Sequence, residues 1–443
     1  MSILLTSALV GISILVIIIL TSKFKIEAFI ALFLVAFFLA CAVLPAKTIV
    51  STIQDGFGTT MGTIGFLIIF GTIIGIALDK TGGTLSIAKF ILSKTGERKS
   101  ARAIGIIGFI TGLPIFCNSG FIILSGLSRS LSAKSKMAMP FIATVLACSL
   151  YSVHCLIPPH PGVLAAAGVI RVNIGYLIII GTLFAIPGTL AAYLWSKWMT
   201  KGKNYAPARE IDTDSKLTPD HLPSAFFSFL PIIVPLLLIA LKSLFNMLDK
   251  EGHSLISRIL FLPGEPLIAL ATGVVLALLL IRNKTIASIN SIFAEAILKA
   301  GPILIVTAAG GMFGMVIKAT GTGEVLGKLL AGTNIGILVP FLIAVAMKTA
   351  QGSSTVAIIT TASFVAPMLS MLGLDSEWGR ILAMLAMGSG SMAVSHANDS
   401  YFWVVTNFSD IESDTALKVY SSSTLVMGIV VFGFVWATSL FIL

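Results

Sequence analysis

Long apolar runs, parted only by short stretches rich in lysine and arginine, leave this chain few ways to fold. Runs such as 3–20, 27–44, 264–281 and 420–443 carry almost no charge. A helix that crosses the hydrocarbon layer needs about 20 such residues. Lipid offers the backbone no hydrogen-bond partners, so a spanning segment must be a helix or part of a closed barrel. Composition agrees: 56% of the 443 residues are apolar and 11% charged, with a mean hydropathy of +1.02, whereas soluble domains are about 25% charged. The net charge of +10 lies in the short gaps: Lys23/Lys25, Lys94 to Arg102, Arg129 to Lys136, Lys197 to Lys203 and Arg282/Lys284. That is the pattern of cytoplasmic loops in an inner-membrane protein, not of a nucleic-acid-binding face, and no nucleic acid partner is expected. The cysteines Cys41, Cys117, Cys148 and Cys155 show neither a C-x-x-C pair nor metal-ligand spacing, so no metal and no cofactor is expected. The first run has no positive leader, which reads as a retained span and not a signal peptide.

The expected fold is an all-α polytopic membrane protein with about 10 full spans and 2 hairpins. Spans are read at 3–20, 27–44, 61–78, 137–170, 174–199, 224–248, 264–281, 290–318, 379–411 and 420–443, of which 137–170 and 379–411 are interrupted. Segments 103–131 and 334–372 are broken in the middle by L-P-I-F-C-N-S-G and K-T-A-Q-G-S-S, and 84–94 and 323–331 read as amphipathic connectors. The loops at 94–102 and 128–136 are both basic, so both belong in the cytoplasm and 103–131 must be re-entrant. The second half repeats this order at an offset a little under 240 residues: GIALDKTGGTLSIAKFIL (75–92) aligns with GMVIKATGTGEVLGKLLA (314–331). Counting crossings gives the halves opposite orientation. We therefore expect two inverted-topology repeats, 1–200 and 223–443, joined by a cytoplasmic linker at 201–222, with both termini outside.

Four polar clusters fall where the lipid slab should be. They are PIFCNSGF (114–121), SVHCLIPPHPGVLAAAG (152–168), KTAQGSSTVAIITTA (348–362) and SHANDSYFW (395–403). A helix broken at mid-membrane frees backbone groups, and its half-helix N-termini favour anions. Candidate substrate-binding residues are Asn118, Ser119 and Gly120 in the first tip, and His154 and His160 in the first interrupted helix. The second tip offers Lys348, Gln351, Gly352, Ser353, Ser354 and Thr355, and the second interrupted helix His396, Asn398, Asp399 and Ser400. One proline would mark a kinked structural helix, but PPHP flanked by two histidines suits a functional break better. Gly352 to Thr355 read equally well as ligand contacts or as small-residue helix packing. Lys348, in an almost uncharged segment, must meet an anion, a cavity or the interface. Asp399, His154, His160 and His396 are the candidates to take a coupling cation, and Asp399 reads alternatively as a helix cap.

These clusters, in order along nearly the whole chain, resemble the signature segments of the gluconate permease (GntP) family. The resemblance implies uptake of a small carboxylate such as a sugar acid, typically by proton symport. It also implies membership of the wider ion-transporter superfamily, with a scaffold, a moving transport domain, elevator-like alternating access and a homodimer. Two positions depart from the family pattern: Asn118 stands where an acidic residue is usual, and Lys348 where arginine is usual. Asparagine carries no proton, and lysine offers a point charge in place of a bidentate fork, so Na⁺ coupling or uncoupled transport stays open. An intramembrane enzyme using His154, His160 or Asp399 is disfavoured, since H-E-x-x-H and G-x-S-x-G are both absent from the sequence.

Overall fold

Pro45 sits in extended backbone and starts a helix that runs unbroken over 36 residues to a left-handed Gly82. In the computed structural model, which describes residues 3–24, 26–95, 100–203, 205–208, 222–248, 259, 261–282, 284–320, 336–397 and 399–443, this helix is one of two that form the centre of an all-helical protein. The described residues contain no strand. Successive helices are α1 (Ile3–Ser22), α2 (Ala28–Val43), α3 (Ala46–Thr81), α4 (Gly83–Thr95), α5 (Ser100–Thr111), α6 (Cys117–Ser135), α7 (Met139–Leu156), α8 (Pro161–Val169) and α9 (Ile174–Thr200). They continue as α10 (Ala225–Leu248), α11 (Pro266–Leu279), α12 (Ile286–Ala319), α13 (Leu338–Gln351), α14 (Ser354–Val365), α15 (Glu377–Met392) and α16 (Ser400–Ser409). The last is α17 (Ser413–Ile442), which contains a π-turn at Leu417–Ser421.

Helix α3 begins well before the expected span at 61–78, because its first turns are too polar to register as a span. They are built for close packing instead. A Cβ on Gly56 would lie 2.7 Å from the Met312 backbone, and one on Gly311 would lie 1.8 Å from the Thr60 hydroxyl. The small residues thus let α3 and α12 approach closely, which apolarity alone does not reveal. Among the described residues, 6 helices are long and apolar enough to cross a membrane. Others of the expected spans, α2 and α11, have 16 and 14 residues, about 24 and 21 Å at 1.5 Å per residue.

The four breaks fall where the sequence places them. Residues 112–116 part α5 from α6 and form the first tip. Ile157 to His160 part α7 from α8, where Pro158 and Pro159, joined by a cis bond, supply no backbone donor. Gly352, at φ 81°, ends α13 and Ser353 caps α14, which makes the second tip. Residues 393–399 part α15 from α16. Helix starts in the two halves, Cys117 and Ser354, Met139 and Glu377, Pro161 and Ser400, differ by 237, 238 and 239 positions. The counterpart of α4 at 323–331, the linker core at 209–221 and Asn398 lie outside the described residues.

Helix α3 makes room for the first break and the first tip. A Cβ on Gly71 would meet the Pro159 carbonyl at 2.8 Å, and one on Gly75 the Pro114 carbonyl at 2.6 Å. Two glycines one helical turn apart on α3 therefore seat the first break and the first tip side by side.

Candidate functional site

Each tip packs against a break of the opposite half. The start of α6 meets the start of α16, where Asn118 Nδ2 lies 3.5 Å from Ser400 Oγ. The start of α8 meets the start of α14, where a Cβ on Gly162 would touch Thr355 at 3.0 Å. Four half-helix N-termini thus gather in two pairs, each adding partial positive charge.

The second tip is tied to the second break by a buried ion pair. Lys348 Nζ lies 2.5 Å from Asp399 Oδ2, with the two side chains 0% and 4% exposed. Lys348 also donates to the Gly352 carbonyl at 2.5 Å, so it sits inside the turn that its own helix ends on. Asp399 Oδ2 accepts from Ser395 Oγ at 2.5 Å, and Oδ1 caps α16 by accepting from the Tyr401 N–H at 2.9 Å. The carboxylate is therefore both a helix cap and an ion-pair partner. Tyr420 donates to Ser395 Oγ at 3.0 Å, and the Ser395 N–H reaches Thr424 Oγ1 at 3.0 Å. Lys348 lies over the ring of Tyr151, 5.4 Å from its centroid, and Tyr151 packs 5.2 Å from Tyr401. Snorkelling is excluded: the ammonium faces the protein interior.

The first break joins the first tip. His160 Nε2 lies 2.6 Å from the Gly112 carbonyl, His160 Nδ1 lies 3.1 Å from His154 Nδ1, and His154 Nε2 lies 3.3 Å from Thr355 Oγ1. This row crosses from the first tip, through the first break, to the second tip. Both histidines are buried.

Gln351 is the odd member. Its Oε1 and Nε2 are both buried and have no hydrogen-bond partner among the described residues, although an unpaired buried polar group costs about 1–3 kcal/mol. A ligand that donates and accepts would satisfy both.

The expected residues therefore do not behave alike. Lys348, Asp399 and Gly352 join at the second tip and second break, Asn118 of the first tip reaches Ser400 at the second break, and His154, His160 and Thr355 form a separate row. Ser353 caps α14 through the Val356 N–H at 3.3 Å, a local role. Gly120 packs on Leu150, Ser354 is buried at the start of α14, and the Ser119 hydroxyl has no hydrogen bond to a described residue. His396 offers its backbone carbonyl to the Asp399 N–H at 2.8 Å, and its ring makes no hydrogen bond among the described residues. Sequence reading missed Ser395, Tyr151, Tyr401, Tyr420 and Gly112. Ser395 and Tyr401 flank Asp399 and were legible as part of its motif. Tyr420 lies in the π-turn of α17, which nothing local in the sequence marks. No group of three or more His, Cys, Asp or Glu that could hold a metal occurs among the described residues.

The sequence profile of the family described as GntP family permease matches residues 3–441. The chain is 30% identical over 450 residues to the inner membrane permease YgbN of Escherichia coli K12, covering 98% of each. It is 30% identical over 432 residues to a gluconate permease of Pseudomonas aeruginosa, covering 96% of this chain and 95% of that one. It is 29% identical over 405 residues to the Gnt-II system L-idonate transporter of Escherichia coli K12, covering 90% of this chain and 91% of that one. In structure it resembles the YdaH transporter of Alcanivorax borkumensis, with a TM-score of 0.63 at 13% identity, covering 93% of this chain and 98% of that one. That likeness concerns the fold.

Proposed function

Since the chain belongs to the GntP family of permeases, and is thus a membrane transporter and not an enzyme, we propose that it imports a sugar acid or related small hydroxy acid across the inner membrane. The observation that carries this reading is the buried Lys348, held between the second tip and the second break by Asp399. The substrate carboxylate takes the place of the Asp399 carboxylate on the ammonium. Leaving a buried lysine unpaired costs about 3–5 kcal/mol, so the ammonium keeps a carboxylate partner throughout, and the displaced Asp399 retains the Ser395 hydroxyl and the Tyr401 N–H as donors. The orphan carboxamide of Gln351, three residues along the same helix, pairs with a substrate hydroxyl, which favours hydroxylated acids over plain ones. Gluconate and L-idonate permeases among the relatives support the same class.

The repeat of helix order supports two inverted halves, 1–200 and 223–443, with α5–α6 and α13–α14 as hairpins entering from opposite faces. Helix α5, at 12 residues, spans about 18 Å and reaches only mid-membrane. Substrate then binds between tips and breaks at the centre, and the hairpins with their interrupted helices move against the α3–α12 pair, an elevator-like alternating access. We take the driving ion to be H⁺. A Na⁺ site on Asp399 is disfavoured in the site without substrate, where the ammonium of Lys348 holds Oδ2.

The test is a thermal-shift screen of purified protein against gluconate, idonate, glycerate, lactate and D-serine. Ligand at 100 times its Kd stabilises by about 2.7 kcal/mol. Stabilisation by gluconate or idonate and not by lactate is expected; stabilisation by none of the acids would reject the reading.

A further inference from the structure

The row Gly112–His160–His154–Thr355 admits only one neutral arrangement of its protons. The Gly112 carbonyl can only accept, so His160 Nε2, at 2.6 Å, carries a hydrogen. Neutral His160 then has a bare Nδ1, which must accept. The facing Nδ1 of His154, at 3.1 Å, therefore carries the bridging hydrogen. That leaves His154 Nε2 as the one bare ring nitrogen not already engaged within the pair, and the Thr355 hydroxyl at 3.3 Å donates to it. The opposite arrangement would set the lone pair of His160 against a carbonyl oxygen.

We infer that the His154–His160 pair, and not Asp399, binds the coupling proton, and that the proton enters at His154 Nε2 through the Thr355 hydroxyl. This inference rests on the proposed transport of an anion. An added proton at His154 Nε2 needs only that the Thr355 hydroxyl turn from donor to acceptor. The bridging proton is then shared, so the pair titrates as a unit and takes one proton. Asp399, by contrast, has its two oxygens engaged by Lys348, Ser395 and the Tyr401 N–H in the site without substrate, and protonating it there would leave the ammonium unpaired before the anion arrives.

The geometry also links this proton to the substrate. Tyr151 lies between the two centres: its ring stacks on His154 at 6.3 Å and carries Lys348 over its face at 5.4 Å. The ionisable groups that face the pair from the packed elements are Lys348 on α13 and Tyr151 on α7, and Cys117 on α6, Cys155 on α7 and Asp399 ahead of α16 gather around Lys348 in turn. In the resting site Asp399 neutralises Lys348. Once the substrate carboxylate has taken Lys348, the released Asp399 and the substrate together make the region one charge more negative. An imidazolium beside Tyr151 restores the balance. Anion and proton therefore bind with positive coupling, and by linkage each tightens the other by the same factor. Thr355 belongs to the second tip, so its hydroxyl lies where substrate arrives and proton entry is timed to it.

Two measurements test this. Solid-state ¹⁵N NMR of histidine-labelled protein, which needs no substrate, should show His154 as the Nδ1–H tautomer and His160 as the Nε2–H tautomer at pH 8. The opposite tautomers would overturn the inference whatever the protein transports. The second is the pH dependence of gluconate Kd by calorimetry. In the wild type Kd should tighten up to about tenfold per pH unit as pH falls through the titration of the pair, the limit for one linked proton. His154→Gln keeps both neutral hydrogen bonds, its amide N–H donating to His160 and its carbonyl accepting from Thr355, but it offers no nitrogen to the proton. Its Kd should vary less than about twofold over the same range, and Thr355→Ser should retain the wild-type slope. A wild-type slope in His154→Gln, or a flat profile in the wild type, would overturn the inference while gluconate binding itself still stood. Failure of the wild type to bind any sugar acid would instead reject the transport reading, and the tautomers would still decide the proton site.

Discussion

Removing the charge of Asp399 separates the structural and the binding roles of the ion pair. Asp399→Asn keeps an oxygen to cap α16 and a side chain of the same size, so it changes little but charge. Lys348 is then a fully buried ammonium with the Gly352 carbonyl and neutral oxygens for company. Stranding a buried charge costs about 3–5 kcal/mol, a large share of the 5–15 kcal/mol by which a typical protein is stable. Lys348→Met strands the carboxylate instead and should cost about the same. The double variant Lys348→Met/Asp399→Asn removes both charges and should recover most of the loss, since buried pairs replaced together are often neutral. The ligand response should split the two single variants. Gluconate should stabilise Asp399→Asn more than the wild type, because its carboxylate meets a lysine with no competitor. It should stabilise neither variant that lacks Lys348. Unfolding in mild detergent, with and without gluconate, measures all four forms. The reasoning fails if Asp399→Asn is as stable as the wild type, or if Lys348→Met keeps the ligand response.

Gln351→Leu should leave the unliganded protein as stable as the wild type or up to about 1 kcal/mol more so, since two unpaired polar atoms disappear. It should weaken gluconate roughly tenfold with little effect on any weak binding of lactate, a contrast that calorimetry resolves. Gly75→Ala would drive a methyl to 2.6 Å from the Pro114 carbonyl and should cost about 1–3 kcal/mol with reduced uptake; Gly58→Ala, on the same helix with open space around it, should change neither. Cysteines introduced at Lys94 and Lys136 in a cysteine-free background should label from the same cytoplasmic face, and labelling from opposite faces would remove the re-entrant hairpin.

Breaks were easier to read in the sequence than packing. A proline-rich run, a glycine before two serines, or an aspartate after asparagine marks a helix end by local chemistry, and all four breaks followed from such marks. Hydropathy located the apolar helices but not the true length of α3. Its first turns, with Thr60 and Gly56, gain their fit only from Gly311 and Met312 far along the chain. The site divides in the same way. Lys348 and Asp399 stood out as charges in apolar segments, yet their pairing across 51 positions is a property of the fold. Neither the fixed tautomers of the two histidines nor the orphaned amide of Gln351 is visible without the Gly112 carbonyl and the Thr355 hydroxyl in place.

Coupled import is tested most directly by uptake of radiolabelled gluconate into proteoliposomes under imposed gradients. With the outside acidic and the inside alkaline, accumulation above the external concentration is expected, abolished by a protonophore and unchanged by an inward Na⁺ gradient. Accumulation driven by Na⁺ and indifferent to pH, or no saturable uptake at all, would contradict the account.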